Sequence, residues 1–222
     1  PYLNAPFQLA KKAGEIPGDD AIAGTSSRIS EQGDATYLNI VYILGHDATD
    51  VHDLPRGEIE GRRQAMWAAN ALKKYTPGFE KASLRSFGSS LGIRESRKII
   101  GRYNLTENDV RNQGRFDDAI GIFPEFLDGC GIVILPTTGR YFQVPYGIMV
   151  PQKVENLLVA GRCVAGDRIS HSATRQMMCC TVTGQAAGVS AALSIKEKNH
   201  SSQVDIASLQ TALSKQGVRI KR

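Results

Sequence analysis

The chain has 222 residues, of which 41% are hydrophobic and 22% are charged. These values exclude a disordered chain, a collagen and a disulfide scaffold. The length allows one large domain or two small ones with an unstapled core. Lys and Arg number 27 against 22 Asp and Glu, giving +5; the charges are dispersed, which argues against nucleic acid.

Residues 1–6, Pro-Tyr-Leu-Asn-Ala-Pro, show no basic stretch followed by an apolar one, so no signal peptide is read there. Residues 14–34 are rich in Gly, Ser, Asp and Pro and read as loop. Residues 36–44, Thr36 to Leu44 with Tyr37 inside, are β-branched and aromatic and read as a strand. Asp53 or a neighbour can cap a helix from about 56 to 75. Ile59, Met66, Ala69, Leu72 and Tyr75 recur there at helical spacing, Lys73 and Lys74 suit the C-terminal dipole, and Pro77-Gly78 stops it.

Residues 83–103 alternate short apolar runs with charges and are read as strands. Thr106 and Asp109 have the spacing of a capping box, with Asp in place of Glu. Residues 115–150 form a meander of loop and strand, including Gly131–Leu135 and Tyr141–Val144. Leu157–Ala160 before Gly161 reads as a compact buried strand. Asp205 caps a last helix carrying Ile206, Leu209 and Leu213, closed by Gly217.

Cys130, Cys163, Cys179 and Cys180 form no CxxC pair, so no zinc knuckle, metal site or dithiol is expected. They read as buried free thiols of a reducing compartment, hence a cytoplasmic protein.

Residues 176–195 run without a charge and contain Gly184-Gln185-Ala186-Ala187-Gly188. Length and GxxxG spacing could suggest a membrane span. One Leu, one Ile and the polar Thr181, Thr183, Gln185 and Ser190 make transfer into lipid marginal. The preferred reading is a helix buried inside an α/β domain, with no membrane. Its small residues would let a backbone or a flat ligand approach. Strand 157–160, the Gly161 turn and this helix make a βα unit. Its loop end suits anionic ligand groups, and Arg162, Arg168, His171 and Arg175 lie between strand and helix.

These residues carry a resemblance. Val154–Cys163, followed by Arg175-x-Met177-x-x-Cys180-x-x-x-Gly184-Gln185-Ala186-Ala187-Gly188, is similar to the C-terminal motif of FAD-dependent oxidoreductases of the glutathione-reductase-like flavoprotein superfamily. Glu58–Ala65, Pro77–Glu80, Gly92–Arg97, Thr106–Val110 and Val144–Tyr146 follow in family order. The resemblance spans roughly 56 to 217. The family's N-terminal GxGxxG turn is missing; Gly129-Cys130-Gly131 has only two of its glycines. The chain therefore looks like the C-terminal half of such an enzyme.

The implied fold is α/β, with α+β character in the substrate region: a mixed sheet with covering helices, plus the last strand–helix unit of an FAD-binding domain. Residues 1–150 would be substrate-domain-like, with an interdomain helix near 56–75. Residues 151–222 would complete the FAD domain. The implied reaction is hydride transfer between a small organic substrate and FAD. Gly161 and Arg162 would lie beside the flavin, and backbone groups near Arg175, Gln176 and Met177 would face its pyrimidine edge, where reduction places negative charge. Gly184 and Gly188 would let the helix pack closely. His171 would donate to substrate or flavin or carry a proton, unless it is a structural hydrogen-bonder. Arg94 and Arg97 would clamp a substrate carboxylate, or form salt bridges around Glu95. Tyr146 would line the substrate cavity or sit in the core. The second reading is a non-catalytic subunit that docks onto a separate FAD-binding chain or a further copy.

Overall fold

The computed structural model describes residues 3–17, 21–25, 28–36, 38–129, 132–137 and 139–221. Tyr37, Cys130 and Gly131, and residues 1–2 and 18–20 of the segments read above, lie outside them. Two compact units emerge, Pro1–Ile93 and Arg94–Arg222, so residue 150 lies within the second. The character is mixed α/β, but the sheets differ from the expected mixed sheet. Every strand pair among the described residues is a two-stranded antiparallel ladder.

In the first unit, helix α1 (Asn4–Lys12) buries Phe7 and Ala10. Strands β1 (Ala21–Thr25) and β2 (Arg28–Ile29) replace part of the expected loop, and β3 (Ala35–Thr36) pairs with β2. Strand β4 (Asn39–Tyr42) pairs with β1, Ala21 opposite Tyr42. It is shorter than expected, ending at Tyr42; Leu44, beyond it, is exposed. Gly24 has φ +149°, and a Cβ there would lie 2.1 Å from the Asn39 carbonyl oxygen, so only glycine lets the two strands close.

Helix α2 (Asp53–Tyr75) closes this unit, burying Ala68, Ala71 and Leu72 against Phe7, Ile22 and Ile40. Ile59 and Met66, expected on the apolar stripe, are exposed. His52 holds the N-cap position without a capping side chain. Asp53 turns back to accept from the Asp47 N–H (2.7 Å) and to bond His46 Nδ1 (3.0 Å). The Asp47 amide foremost, then His46, holds its carboxyl below the usual range.

The expected strands at 83–103 are absent. Leu84 and Phe87 are partly exposed and no neighbour supplies a ladder; one isolated bridge joins Gly101 to Pro151. Apolar alternation alone does not make a strand without a partner.

In the second unit, α3 (Glu107–Arg111) starts at the expected capping box. Thr106 Oγ1 accepts from the Asp109 amide at 3.2 Å, and Asp109 Oδ2 from the Thr106 amide at 2.8 Å. Strand β5 (Ala119–Pro124) pairs with β8 (Tyr141–Pro145), Phe123 opposite Phe142. Strand β6 (Leu127–Gly129) pairs with β7 (Ile132–Ile134). Helices α4 (Arg168–Thr174), α5 (Met177–Glu197) and α6 (Ile206–Lys215) follow. Leu105, Ile120, Phe142, Ile148, Leu209 and Leu213 form the centre of one apolar core. Asp167 caps α4 through the Ser170 amide (2.7 Å), while its other oxygen accepts from the Glu107 amide (2.7 Å), so one carboxylate serves two helix starts. Asp205 caps α6 through the Ser208 amide, as expected.

Two expectations fail at the βα unit. Leu157–Ala160 is not a strand, although Ala160 has extended backbone, and Leu157 is exposed. A buried parallel strand needs neighbours, and the described residues supply none. Only the Val159 amide is bonded, to the Met149 carbonyl at 2.9 Å. Helix α5 is not buried all round. Cys179, Thr183, Ala186, Ser190 and Ser194 face the core, whereas Met177, Met178 and Ile195 are 85%, 73% and 79% exposed. By length and composition α5 could cross a membrane, but the face it buries in protein carries three hydroxyl side chains.

Candidate functional site

Gly161 opens a short 3-10 turn, Gly161–Cys163, with φ +75°, a conformation that favours glycine. Its N–H donates to Thr183 Oγ1 at 3.0 Å. That bond seats the turn beside the second turn of α5. Ala165, just past it, is tied to the Ile148 carbonyl at 2.9 Å. The Arg162 side chain is exposed.

The start of α5 is uncapped. Gln176 has extended backbone, but its Nε2 turns back to donate to the Ser172 carbonyl at 2.9 Å. The first helical bond runs from the Cys180 amide to the Gln176 carbonyl. The amides of Met177, Met178 and Cys179 therefore meet no acceptor among the described residues. Such a helix start is positive and carries oriented N–H donors. The structure thus brings together Gly161, Arg162, Gln176 and Met177. A Cβ on Gly184 or Gly188 would meet nothing within 4 Å, so the expected close packing of the GxxxG face is absent here.

Arg175 lies between α4 and α5, but its guanidinium points elsewhere. Nη2 donates to the Asp128 carbonyl and, at 3.2 Å, to Asp128 Oδ2 on β6. Arg94 Nη1 reaches the same carboxylate oxygen at 3.7 Å. His171 sits inside α4, ahead of α5, and is 3% exposed. Its Nε2 lies 3.2 Å from the Arg94 carbonyl oxygen. His171, Arg94, Asp128 and Arg175 thus form one chain of contacts from α4 to β6 and back to the start of α5. Burial lowers the His171 pKa below its ordinary value of 6.5; the Arg94 carbonyl opposes this. Its Nδ1 is buried, with no hydrogen-bond partner among the described residues.

Around Glu95 the salt bridge is to Lys98 (2.7 Å), not to an arginine, and Arg97 is exposed. Tyr146 is a core residue: its hydroxyl bonds Ser190 and the Ser201 carbonyl. Cys163 is exposed, against expectation; Cys179 is buried, Cys180 half-buried, and all three are free. Burial pushes up the thiol pKa values of Cys179 and Cys180, and the Arg162 charge opposes the rise at Cys180.

Sequence reasoning missed Asp128 and Thr183. Nothing in the sequence marks Asp128, since it sits in a short apolar hairpin. Thr183 had a signal: with Ser190 and Ser194 it lies on one helical face, and that face is the buried one.

The family model described as FAD dependent oxidoreductase matches residues 4–213. The chain belongs to this family. FAD is accordingly its cofactor. None of the curated proteins and none of the solved structures matches the chain. The family match covers both compact units. The unmet amides of α5 suit the electron-rich pyrimidine edge of a flavin, so this donor set fits that end of FAD. The sequence holds no GxGxxG turn for the diphosphate end.

Proposed function

We propose that the chain forms the flavin-ring side and the substrate side of an FAD-dependent oxidoreductase of glutathione-reductase-like architecture, transferring hydride between a small organic substrate and flavin. The observation that carries this reading is the uncapped start of α5 held against the Gly161 turn by Thr183. FAD, when bound, supplies the two-electron carrier. The amides of Met177, Met178 and Cys179 hold its negative edge, Arg162 adds positive charge, and Gly161 keeps side-chain bulk away. Arg175 acts through its backbone at the helix junction, because its guanidinium is bound to Asp128. Arg94 and His171 stand on the substrate side.

The diphosphate end of FAD belongs to a glycine-rich part supplied elsewhere. Leu157–Ala160 supports this: it is apolar, and the Leu157, Leu158 and Ala160 amides meet no partner among the described residues. It fits the edge of a parallel sheet whose neighbours come from that part. The same edge and the open face of α5 favour the second reading, a non-catalytic subunit docked onto a separate FAD-binding chain. The free thiols support a reducing, cytoplasmic setting.

Flavin-fluorescence titration of the purified chain tests the proposal. Riboflavin, which lacks the diphosphate, and FAD should bind with equal, weak affinity, and neither should survive gel filtration. FAD bound at least about tenfold more tightly, or about 1.4 kcal/mol, would reveal a diphosphate site in this chain and overturn the half-enzyme reading. Binding of neither flavin would remove the flavin-ring role and leave the docking subunit.

A further inference from the structure

We propose that a groove along α2, within the first unit, binds a small organic anion with an apolar body. The path of the chain after α2 builds the groove. Pro77-Gly78 follows the helix, and Phe79 packs on the core of the first unit. The Phe79 and Ala82 amides turn the chain by donating to the Thr76 and Phe79 carbonyls, at 3.0 and 2.9 Å. The chain then runs back along α2 in the opposite direction. Phe87 reaches Arg62, whose Cζ lies 5.8 Å from the ring centroid. Leu91 reaches the first turns of the helix. A Cβ on Gly57 would lie 3.2 Å from Leu91 Cδ1, and one on Gly61 3.6 Å from Leu91 Cδ2. Glycine at these two positions lets Leu91 close on α2. Between the anchors at Phe79 and Leu91 the chain stands off the helix. The gap is a groove of about 370 Å³, open to solvent.

Its lining selects the ligand. Helical spacing puts Met66, Ala69, Asn70 and Lys73 on one face of α2, and all four line the groove. Leu84, Arg85 and Phe87 line the facing side. Met66, Leu84 and Phe87 are 46%, 39% and 40% exposed, which leaves apolar surface for a ligand body to cover. Two cations, Lys73 and Arg85, line the groove, and no carboxylate does. Lys73 has no ion pair among the described residues. Arg85 meets Asp34 at 3.4 Å in a pair that water screens on both sides. Arg62, beyond Phe87, is held by Glu58 at 2.6 Å. An anionic head therefore meets complementary charge here, and an ammonium meets like charge. The volume lies at the low end of the range for small-molecule sites, so the occupant is a small molecule. A carboxylate and a phosphate monoester share the chemistry that this lining recognises.

The test uses the whole chain labelled with nitrogen-15. The probes are octanoate, octyl phosphate, octylammonium and 1-octanol, which share one apolar chain and differ in the head. Octanoate or octyl phosphate should shift the amides of residues 66–73 and 82–87 saturably, and the tighter of the two identifies the head. Octylammonium and 1-octanol should bind at least about fivefold more weakly, as should octanoate to Lys73→Gln. Lys73 is exposed, so that variant should keep the native fold by circular dichroism. Ala69→Phe fills the groove and should abolish the shifts; should it disturb the fold, Lys73→Gln decides alone. No saturable shift with either anion, shifts confined to other residues, equal binding of octylammonium or 1-octanol, or undiminished binding to Lys73→Gln each overturns the inference. The flavin titration reads the preceding proposal, so each can fail without the other.

Discussion

Helices α2 and α5 are nearly equal in length, 23 and 21 residues, yet their outward faces are built on opposite principles. The outward side of α2 carries Arg62, Arg63, Lys73 and Lys74, with Glu58 paired to Arg62 at 2.6 Å. Its i,i+4 pairs and terminal lysines are those of a helix adapted to water. The outward side of α5 carries Met177, Thr181, Gly184, Gly188 and Ile195, and meets no charge before Lys196. Its buried side holds Thr183, Ser190 and Ser194, each satisfied by a hydrogen bond. Helix α5 is thus uncharged and largely apolar where it faces out, yet holds three satisfied hydroxyls where it faces in. A face of this kind suits contact with a flat ring or another chain better than contact with water.

The sharpest way to break this contrast is to place the same charge on the two sides of α5. Ala186 is fully buried. Ala186→Asp puts an unpaired carboxylate into the core and should cost on the order of 4 kcal/mol, enough to unfold the second unit. Gly188→Asp, two residues on but outward, should stay within about 0.5 kcal/mol of the parent in the chain alone. Urea denaturation followed by circular dichroism separates them. If the two cost alike, the outward face is not open and the comparison fails.

What the sequence made legible was local. Thr106 and Asp109, Asp205, and Pro77-Gly78 act through their immediate neighbours, and the structure places them as their spacing predicts. The α5 helix itself was legible for the same reason. The misses are non-local. Leu157–Ala160 has strand composition but no ladder, because pairing depends on a neighbour that local sequence does not supply. The stripe of α2 was misjudged at Ile59 and Met66, since Gly57 and Gln64 face inward in their place. At the site, Gly161 and Met177 could be placed together from the order of turn and helix. Asp128 could not: its two arginine partners, Arg94 and Arg175, are distant in sequence, and only the folded chain brings them to one carboxylate.

A smaller effect sharpens the contrast from the other direction. A Cβ at Gly184 would meet nothing within 4 Å. Gly184→Ala should therefore gain the helix-propensity difference, up to about 1 kcal/mol, in the isolated chain. The thermal midpoint reads this directly. The same substitution should weaken association with any chain or ring that closes over that face. A destabilised isolated chain would mean that the face is already covered in solution.

The smallest effect lies in acid and belongs to the first unit. Glu15, just past α1, is bonded to Lys74 in the last turn of α2. That bond holds the Glu15 carboxyl below its ordinary value of 4.5 and raises Lys74 above its own. A carboxyl with a depressed folded-state pKa stabilises the fold fully above its unfolded-state pKa. The contribution is lost as pH falls through the folded-state value, because protonation then removes the charge that Lys74 meets. Both side chains are well exposed, so the loss should be slight and should shrink further in salt. It should appear as faster amide exchange in the last turn of α2 below pH 4.5, abolished in Glu15→Gln. The outward face of α5 has no ion pair to lose, so after correction for intrinsic exchange its amides from Thr181 to Ile195 should show no such acid step. An equal step in both helices would show that charge is not what separates their surfaces.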